Sequence, residues 1–349
     1  MLNDNGKLHI PEAPLMCFLD LTECCNLRCW FCYNGLEPHN GIANYDDIIH
    51  ILQDLHNSGC NEVTYLGGEP TLHPCFFEII DYAHDLGMCQ SMISNGQIID
   101  DEFAKRLSKY KDFEVGISIH SMNEEVQDKI SGKKGSLKKI EMAIQALEIY
   151  GISWYSQTSL IKENYMDLLK LKEFLLTRGK PCRMDLSRMV AGEIISDQFL
   201  DENGYIKVFE QINKMNTNEL PIRIEAFPRC WVKKISNSYS LDYEKIKFSV
   251  RPCYAWTAQI SVDIRGNVRL CPTGGKVAGN ILDEGVEGVW KRNSVIQEFQ
   301  KFNWQNKECL ECSDYVFCVG ACKMTCQGCS PTPDEYIGKG GNYNASINE

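Results

Sequence analysis

No apolar run in this 349-residue chain approaches the ~18 residues that a membrane-crossing helix needs. Nor does the N-terminus look like an export signal: Met1 to Ile10 carries acidic and polar residues where a basic and then apolar stretch would stand. These two absences predict a soluble, cytoplasmic protein without a membrane partner. A surplus of basic charge is also missing. Lys+Arg 36 against Asp+Glu 47 leaves a formal charge of −11, which argues against generic nucleic-acid binding, since that needs a basic surface to displace counterions. The basic pairs Lys133-Lys134 and Lys138-Lys139 read as a solvated helix entry. Apart from an alternation of strand and helix patterns there is no internal repeat. With 44% hydrophobic residues in periodic order, wholesale disorder is excluded, and the length suggests roughly two domains.

Cysteine is what the chain has in quantity, with 18 residues. In a reducing compartment a disulfide framework is disfavoured, so this number points to metal or redox chemistry. The distribution is uneven. Cys24, Cys25, Cys29 and Cys32 form one group, and Cys253, Cys271, Cys309, Cys312, Cys318, Cys322, Cys326 and Cys329 fall in the last hundred residues. Cys17, Cys60, Cys75, Cys89 and Cys182 read as small buried hydrophobes.

From residue 15 to about 190, candidate strands are Met16 to Leu21, Glu62 to Leu66, Cys89 to Ser94, Glu114 to Ile119, Ser153 to Leu160 and Arg183 to Met189. Amphipathic helix patterns lie between them. Asp46 to His56 places Ile48, Ile49, Leu52 and Leu55 at helical spacing, and Ser136 to Tyr150 does so with Leu137, Ile140, Ile144 and Leu147. Six such units predict a parallel α/β sheet with right-handed crossovers, open or curved into a partial barrel. Chemistry in such sheets sits in loops after the carboxyl ends of the strands. Phe199 to Phe248 is less regular: a helix pattern runs to Lys214, and the polar stretch Lys233 to Lys245 reads as a linker or surface bridge. Thr257 to Ile264 and Val268 to Cys271 read as a hairpin around Gly266. A short helix, Val286 to Phe302, follows, and the last residues, from Ser330, read as a polar tail.

Cys25-Asn-Leu-Arg-Cys29-Trp-Phe-Cys32 directly follows the first strand. Three thiolates on one tight loop can hold three irons of a [4Fe–4S] cube and leave the fourth iron open, four thiolates being the usual complement. The alternative is a zinc knuckle with Cys24 or His39 as fourth ligand. The second motif, Gly67-Gly68-Glu69-Pro70, ends the next strand. Two residues without side chains there let the backbone approach a ligand, and a carboxylate follows. If the strands are parallel neighbours, both motifs share one rim.

These residues resemble those of radical S-adenosylmethionine (SAM) enzymes: both the three-cysteine motif and the Gly-Gly-Glu motif match, with an aromatic residue, Phe31, before the last cysteine. The resemblance implies a partial (β/α)6 TIM-like barrel in which Cys25, Cys29 and Cys32 bind the cluster and its open iron takes the amino and carboxylate groups of SAM. It further implies that Gly67, Gly68 and Glu69 receive the methionine amine and that Phe31 lies near the adenine. Reduction of the sulfonium would give methionine and a 5′-deoxyadenosyl radical that abstracts hydrogen from substrate. Ser118 and Gln157, with Thr158 beside it, are the candidates for further cofactor contacts. His120-Ser121 stands where relatives often have Asp-Gly and carries no assigned role, and Asn95-Gly96 reads as a turn.

Cys253-x12-Gly266-x4-Cys271, then Cys309-x2-Cys312-x5-Cys318-x3-Cys322, resembles the SPASM extension of the same family, which usually houses two auxiliary [4Fe–4S] clusters. The likeness assigns Cys253, Cys271 and Cys322 to the first cluster, and Cys309, Cys312 and Cys318 with Cys326 or Cys329 to the second. Cys230 is open between a fourth ligand of the first cluster, a buried thiol and a hydrogen-atom donor. Zinc is the rival for this module too. The implied organisation is a barrel over residues 1–215, a bridge over 216–250, the SPASM module over 251–329 and the tail over 330–349.

Enzymes resembling this architecture mostly oxidise, crosslink or epimerise ribosomally made peptides or proteins. Cys25 comes too early for the N-terminal leader-binding domain of many of them, so a separate leader-binding protein or direct substrate binding is expected. The alternatives are radical oxidation or rearrangement of a small molecule such as a sugar, aminocyclitol or cofactor precursor, and an electron-transfer or metal-storage protein. Flavodoxin or ferredoxin is the expected electron donor. No catalytic base is named: Asp185, Glu193 and Glu225 lie near predicted strand ends but read as surface charges or ion-pair partners.

Overall fold

The computed structural model describes residues 9–35, 37–189, 199–302 and 307–323. Six parallel strands stand where the sequence predicts them: β1 (Met16–Thr22), β2 (Glu62–Gly67), β3 (Cys89–Ser94), β4 (Glu114–Ser118), β5 (Ser153–Leu160) and β6 (Met184–Arg188). Their alternation sends one set of side chains, including Cys17, Leu19, Leu21, Val63, Val115, Ile117 and Leu186, into a core shared with the helices. The helix Tyr45–Asn57 shows how the crossovers form. Asn44 accepts hydrogen bonds from the amides of Asp46 and Asp47 at its start, and Ile48, Ile51, Leu52 and Leu55 are the buried stripe.

Two findings go beyond the predicted sheet. The segment read as a bridge contains β7 (Ile222–Glu225), which pairs with β6, and precedes β8 (Val250–Arg251), which pairs with β7, both in parallel. The stretch read as a polar linker begins inside a helix, Arg229–Ser238, whose Trp231, Val232 and Ile235 are buried; a short helix, Tyr243–Lys247, follows. Four- and two-residue strands are too short to show a period, and Lys233 and Lys234 mask the apolar stripe.

The second finding joins the two cysteine-rich regions. The predicted hairpin forms as β9 (Gln259–Val262) and β10 (Asn267–Cys271), extended by β11 (Gly274–Asn280). β9 pairs in parallel with β1, Met16 opposite Gln259 and Leu19 opposite Val262. One open sheet therefore runs β11-β10-β9-β1-β2-β3-β4-β5-β6-β7-β8, a partial barrel with the hairpin bonded to its first strand. Its inward face is polar. At the amino ends of the strands Arg183 pairs with Glu114 at 2.7 Å and Asp185 at 2.9 Å and lies 3.6 Å over the Tyr155 ring. The carboxyl rim carries both N-terminal motifs. Among the described residues no helix is long and apolar enough to cross a membrane.

Candidate active site and cysteine centres

The three-cysteine loop is held mainly by backbone bonds. As β1 ends, the Thr22 hydroxyl donates to the Gly41 carbonyl at 2.9 Å and accepts from the Cys24 amide at 3.0 Å. The Arg28 and Trp30 amides donate to the carbonyls of Ser131 and Ile130, at 2.9 and 3.3 Å, and the Cys32 amide to Cys29 at 3.0 Å. Burial pushes the Cys29 thiol up to about 12, and the neighbouring Cys32 and Cys25 add to this. Burial also raises Cys25 and Cys32. Burial thus disfavours the thiolate forms, which a metal cation displacing the protons would stabilise. Cys25 is already prepared for negative charge, because the Leu27 amide and the Asn95 side-chain amide point at its sulfur, at 3.4 and 3.7 Å. The residues fit an iron–sulfur cluster. Of the zinc alternatives, the Cys24 thiol is turned to the Gly41 carbonyl at 4.0 Å and His39 is exposed. Among the described residues no three Cys, His, Asp or Glu side chains are placed to hold a single metal ion.

Gly67-Gly68-Glu69 meets this loop directly. The Gly68 amide donates to the Thr22 carbonyl at 2.6 Å and the Glu69 amide to the Cys24 carbonyl at 2.8 Å. The glycines are required by this contact between chain segments. A Cβ on Gly67, where φ is +119°, would stand 2.2 Å from the Thr22 oxygen, and one on Gly68 would stand 2.3 Å from the Cys24 oxygen. Glu69 is 1% exposed. Its carboxylate accepts from the Thr71 hydroxyl at 2.5 Å, the Thr71 amide at 3.4 Å, the Ser94 hydroxyl at 2.8 Å and the Asn95 amide at 2.7 Å. Burial nevertheless outweighs these donors and raises the carboxyl, and no cationic side chain is among the groups acting on it. The site thus holds a buried carboxyl met by four hydrogen-bond donors and, among the described residues, by no cationic side chain.

The C-terminal cysteines fall into two groups. Cys253, Cys271 and Cys322 act on one another electrostatically, and burial is the main cause of the raised thiols of Cys253 and Cys271, the latter to about 12. The buried Lys323 ammonium opposes this at Cys253, and donates to the Val319 carbonyl. In the other group, Cys309 is pushed up to about 11 by burial and then by Cys230, Cys318 and Cys312. Cys230 thus stands with Cys312 and Cys318, whereas from sequence its candidate role as a ligand was with Cys253. Cys326, Cys329, Glu193 and the tail from Ser330 lie outside the described residues.

Residues 19–175 match the family model of the radical SAM superfamily, and residues 253–313 match that of the SPASM iron–sulfur cluster-binding domain. The chain belongs to the radical SAM–SPASM enzymes. Iron–sulfur clusters and SAM are the cofactors of this family. It is 26% identical over 321 residues to the mycofactocin maturase MftC of Mycobacterium tuberculosis, covering 89% of this chain and 78% of that one. With the PqqA peptide cyclase of Gluconobacter oxydans it shares 21% identity over 337 residues, 93% of this chain and 88% of the relative. The fold resembles the crystal structure of Streptococcus suis SuiB bound to S-adenosylmethionine, with a TM-score of 0.69 at 18% identity over 90% of this chain and 74% of SuiB.

Within the radical SAM domain the remaining predicted residues divide. Phe31, 8% exposed, packs edge-on against His120 with ring centroids 4.9 Å apart, beside Ile130 and Ile161. Ser118 lies opposite Gln157 in register across β4 and β5. Gln157 donates to Ser187, and Ser187 donates to Glu225 at 3.2 Å, so a polar ladder crosses the rim. Thr158 instead bonds the Ile119 carbonyl at 2.7 Å. Asp185 belongs to the Arg183 ion pair at the other end. Sequence reasoning missed Asn95, whose side-chain amide bonds Asn26 at 2.7 Å and whose backbone bonds Glu69. A turn pattern shows that the chain bends there but not what the side chain meets 70 residues away. Asp20 was missed too: it lies on the inward face, and burial raises it to about 7, with Arg269 opposing and Asp263 and Glu23 adding. Its only sequence signal is a charge inside an apolar strand.

Proposed function

We propose that this enzyme cleaves SAM reductively and abstracts hydrogen from a ribosomally made peptide or protein, leading to oxidation, crosslinking or epimerisation. The observation that carries this reading is the joining of the Cys25–Cys32 loop to Gly67-Gly68-Glu69 through the Gly68–Thr22 and Glu69–Cys24 backbone bonds. In this reading Cys25, Cys29 and Cys32 hold the catalytic cluster, while Cys253, Cys271 and Cys322, and Cys309, Cys312 and Cys318, serve two auxiliary clusters. A cluster held by Cys25, Cys29 and Cys32 would supply, when reduced, the electron for cleaving the sulfonium of SAM, and with it the means to take hydrogen from substrate.

The chain's own residues orient these partners. Glu69 receives the methionine ammonium, the cation that its buried carboxylate lacks, and Asn95 holds Glu69 and the Cys25 sulfur in one frame. Phe31 offers an apolar wall to the adenine, and Ser118 and Gln157 offer polar contacts at the carboxyl rim. A peptide substrate is favoured by the relatives named as a maturase and a peptide cyclase, each aligned over most of its length. Flavodoxin or ferredoxin is proposed as donor, with a separate leader-binding protein where the substrate carries a leader.

The test is anaerobic turnover with SAM, a reductant and a deuterated peptide encoded beside the gene. Deuterium transfer into 5′-deoxyadenosine, with a mass change in the peptide, supports the reading. Loaded enzyme that yields no 5′-deoxyadenosine overturns it, and deuterium transfer confined to a small molecule transfers the assignment to that substrate class.

A further inference from the structure

Cys230 is the second residue of the ten-residue helix Arg229–Ser238. Trp231, Val232 and Ile235 turn into the core, while Cys230 is exposed. The residue before it fixes what the helix start faces. The Arg229 guanidinium lies 4.0 Å from the Asp314 carboxylate and 5.0 Å over the Phe317 ring. Both partners belong to the five-residue interval between Cys312 and Cys318. From a second element, the Tyr243 hydroxyl donates to Asp314 at 3.3 Å. Arg229, Val316 and Phe317 line one cleft. The thiols acting on Cys230 are those of Cys318 and Cys312, and Cys230 heads the thiols acting on Cys309. The thiols acting on Cys271 are Cys253 and Cys322.

We infer that Cys230 is the fourth thiolate ligand of the second auxiliary iron–sulfur cluster, completing Cys309, Cys312 and Cys318 in place of a cysteine from the last residues of the chain. The inference rests on the reading above that this group holds such a cluster. Three chemical facts support it. Four thiolates are the usual complement of a four-iron cube. The first turn of a helix favours a thiolate through its exposed amides and dipole. The three cysteines on the 309–318 segment and the one on the helix come from separate stretches of chain, so the metal would staple the segment around β7 and β8 to the cysteine module. The first group keeps three cysteine thiols among the described residues.

The test is iron and acid-labile sulfide content of anaerobically reconstituted full-length chain, with EPR of the reduced state. Wild type should hold about twelve irons, and Cys230→Ala and Cys312→Ala should each lose about four. The double change Cys326→Ala/Cys329→Ala should keep the wild-type content. In Cys230→Ser, whose hydroxyl can take the thiolate's place, the irons should stay and the EPR signal of one auxiliary cluster should shift. The spectral change of the catalytic cluster on SAM addition serves as the fold control. Full iron in Cys230→Ala, an unshifted signal in a fully loaded Cys230→Ser, or loss of about four irons in the late double variant overturns the inference. A wild-type chain with about four irons plus zinc defeats the cluster reading instead, and the variants are then read by their zinc.

Discussion

The two cysteine regions are built differently, although both hang on the same sheet. The Cys25–Cys32 loop leaves the central strand β1 and is tied by amide–carbonyl bonds to the ends of its neighbours. The 307–323 segment has two four-residue helices, Lys307–Leu310 and Tyr315–Cys318, and a small core of its own around Tyr315 and Val319. It also carries three successive positive-φ positions close together: Val319 at +50°, Gly320 at +72° and Ala321 at +61°. A β-branched valine there is disfavoured by ~1–2 kcal/mol. In one region the backbone preforms the site; in the other, bound metal is the interaction that would offset the strain of the turn between Cys318 and Cys322.

The largest test of this contrast is a pair of variants. Cys29→Ala should abolish 5′-deoxyadenosine formation, whereas Cys312→Ala should retain uncoupled SAM cleavage and lose substrate turnover; equal product from Cys312→Ala would show the second region to be dispensable. Next comes removal of iron with a chelator, followed by hydrogen exchange. Amides of 307–323 should lose protection while those of β1 to β4 keep theirs, and uniform loss would erase the distinction. Gly68→Ala comes third. Its methyl group would collide with the Cys24 carbonyl rather than with a movable side chain, so thermal or denaturant unfolding should show a loss of about 3 kcal/mol.

The last prediction concerns pH. Burial lowers His120 to about 4, below its ordinary value near 6.5. The neutral ring is the folded form, so its contribution is fully present above pH 6.5 and is lost as pH falls toward 4, on the order of 3 kcal/mol across that window. Denaturant titrations of His120→Asn should show a flatter acid limb between pH 6.5 and 4. An unchanged limb would mean that the ring beside Phe31 is not the group responsible.

Six strands were legible because their outward faces alternate with helices of clear period; Cys89–Ser94 and Ser153–Leu160 agree to the residue. β7 and β8 were not, being too short, and the helix at Cys230 was hidden behind its lysines. At the site, cysteine spacing and Gly-Gly-Glu could be read directly, since each is a local pattern. Asn95, Asp20 and the surroundings of Cys230 could not, because their partners lie across the sheet or far along the chain.

The amino-acid sequence by itself determined the strand–helix alternation and the two cysteine spacings, because periodicity and motif spacing are properties of neighbouring residues. Tertiary structure decided that β9 joins β1, that the Gly-Gly turn rests on the cysteine loop, and which thiols stand together. Those are contacts between distant segments, set by how the sheet closes over its core and not by any local preference of the residues that meet.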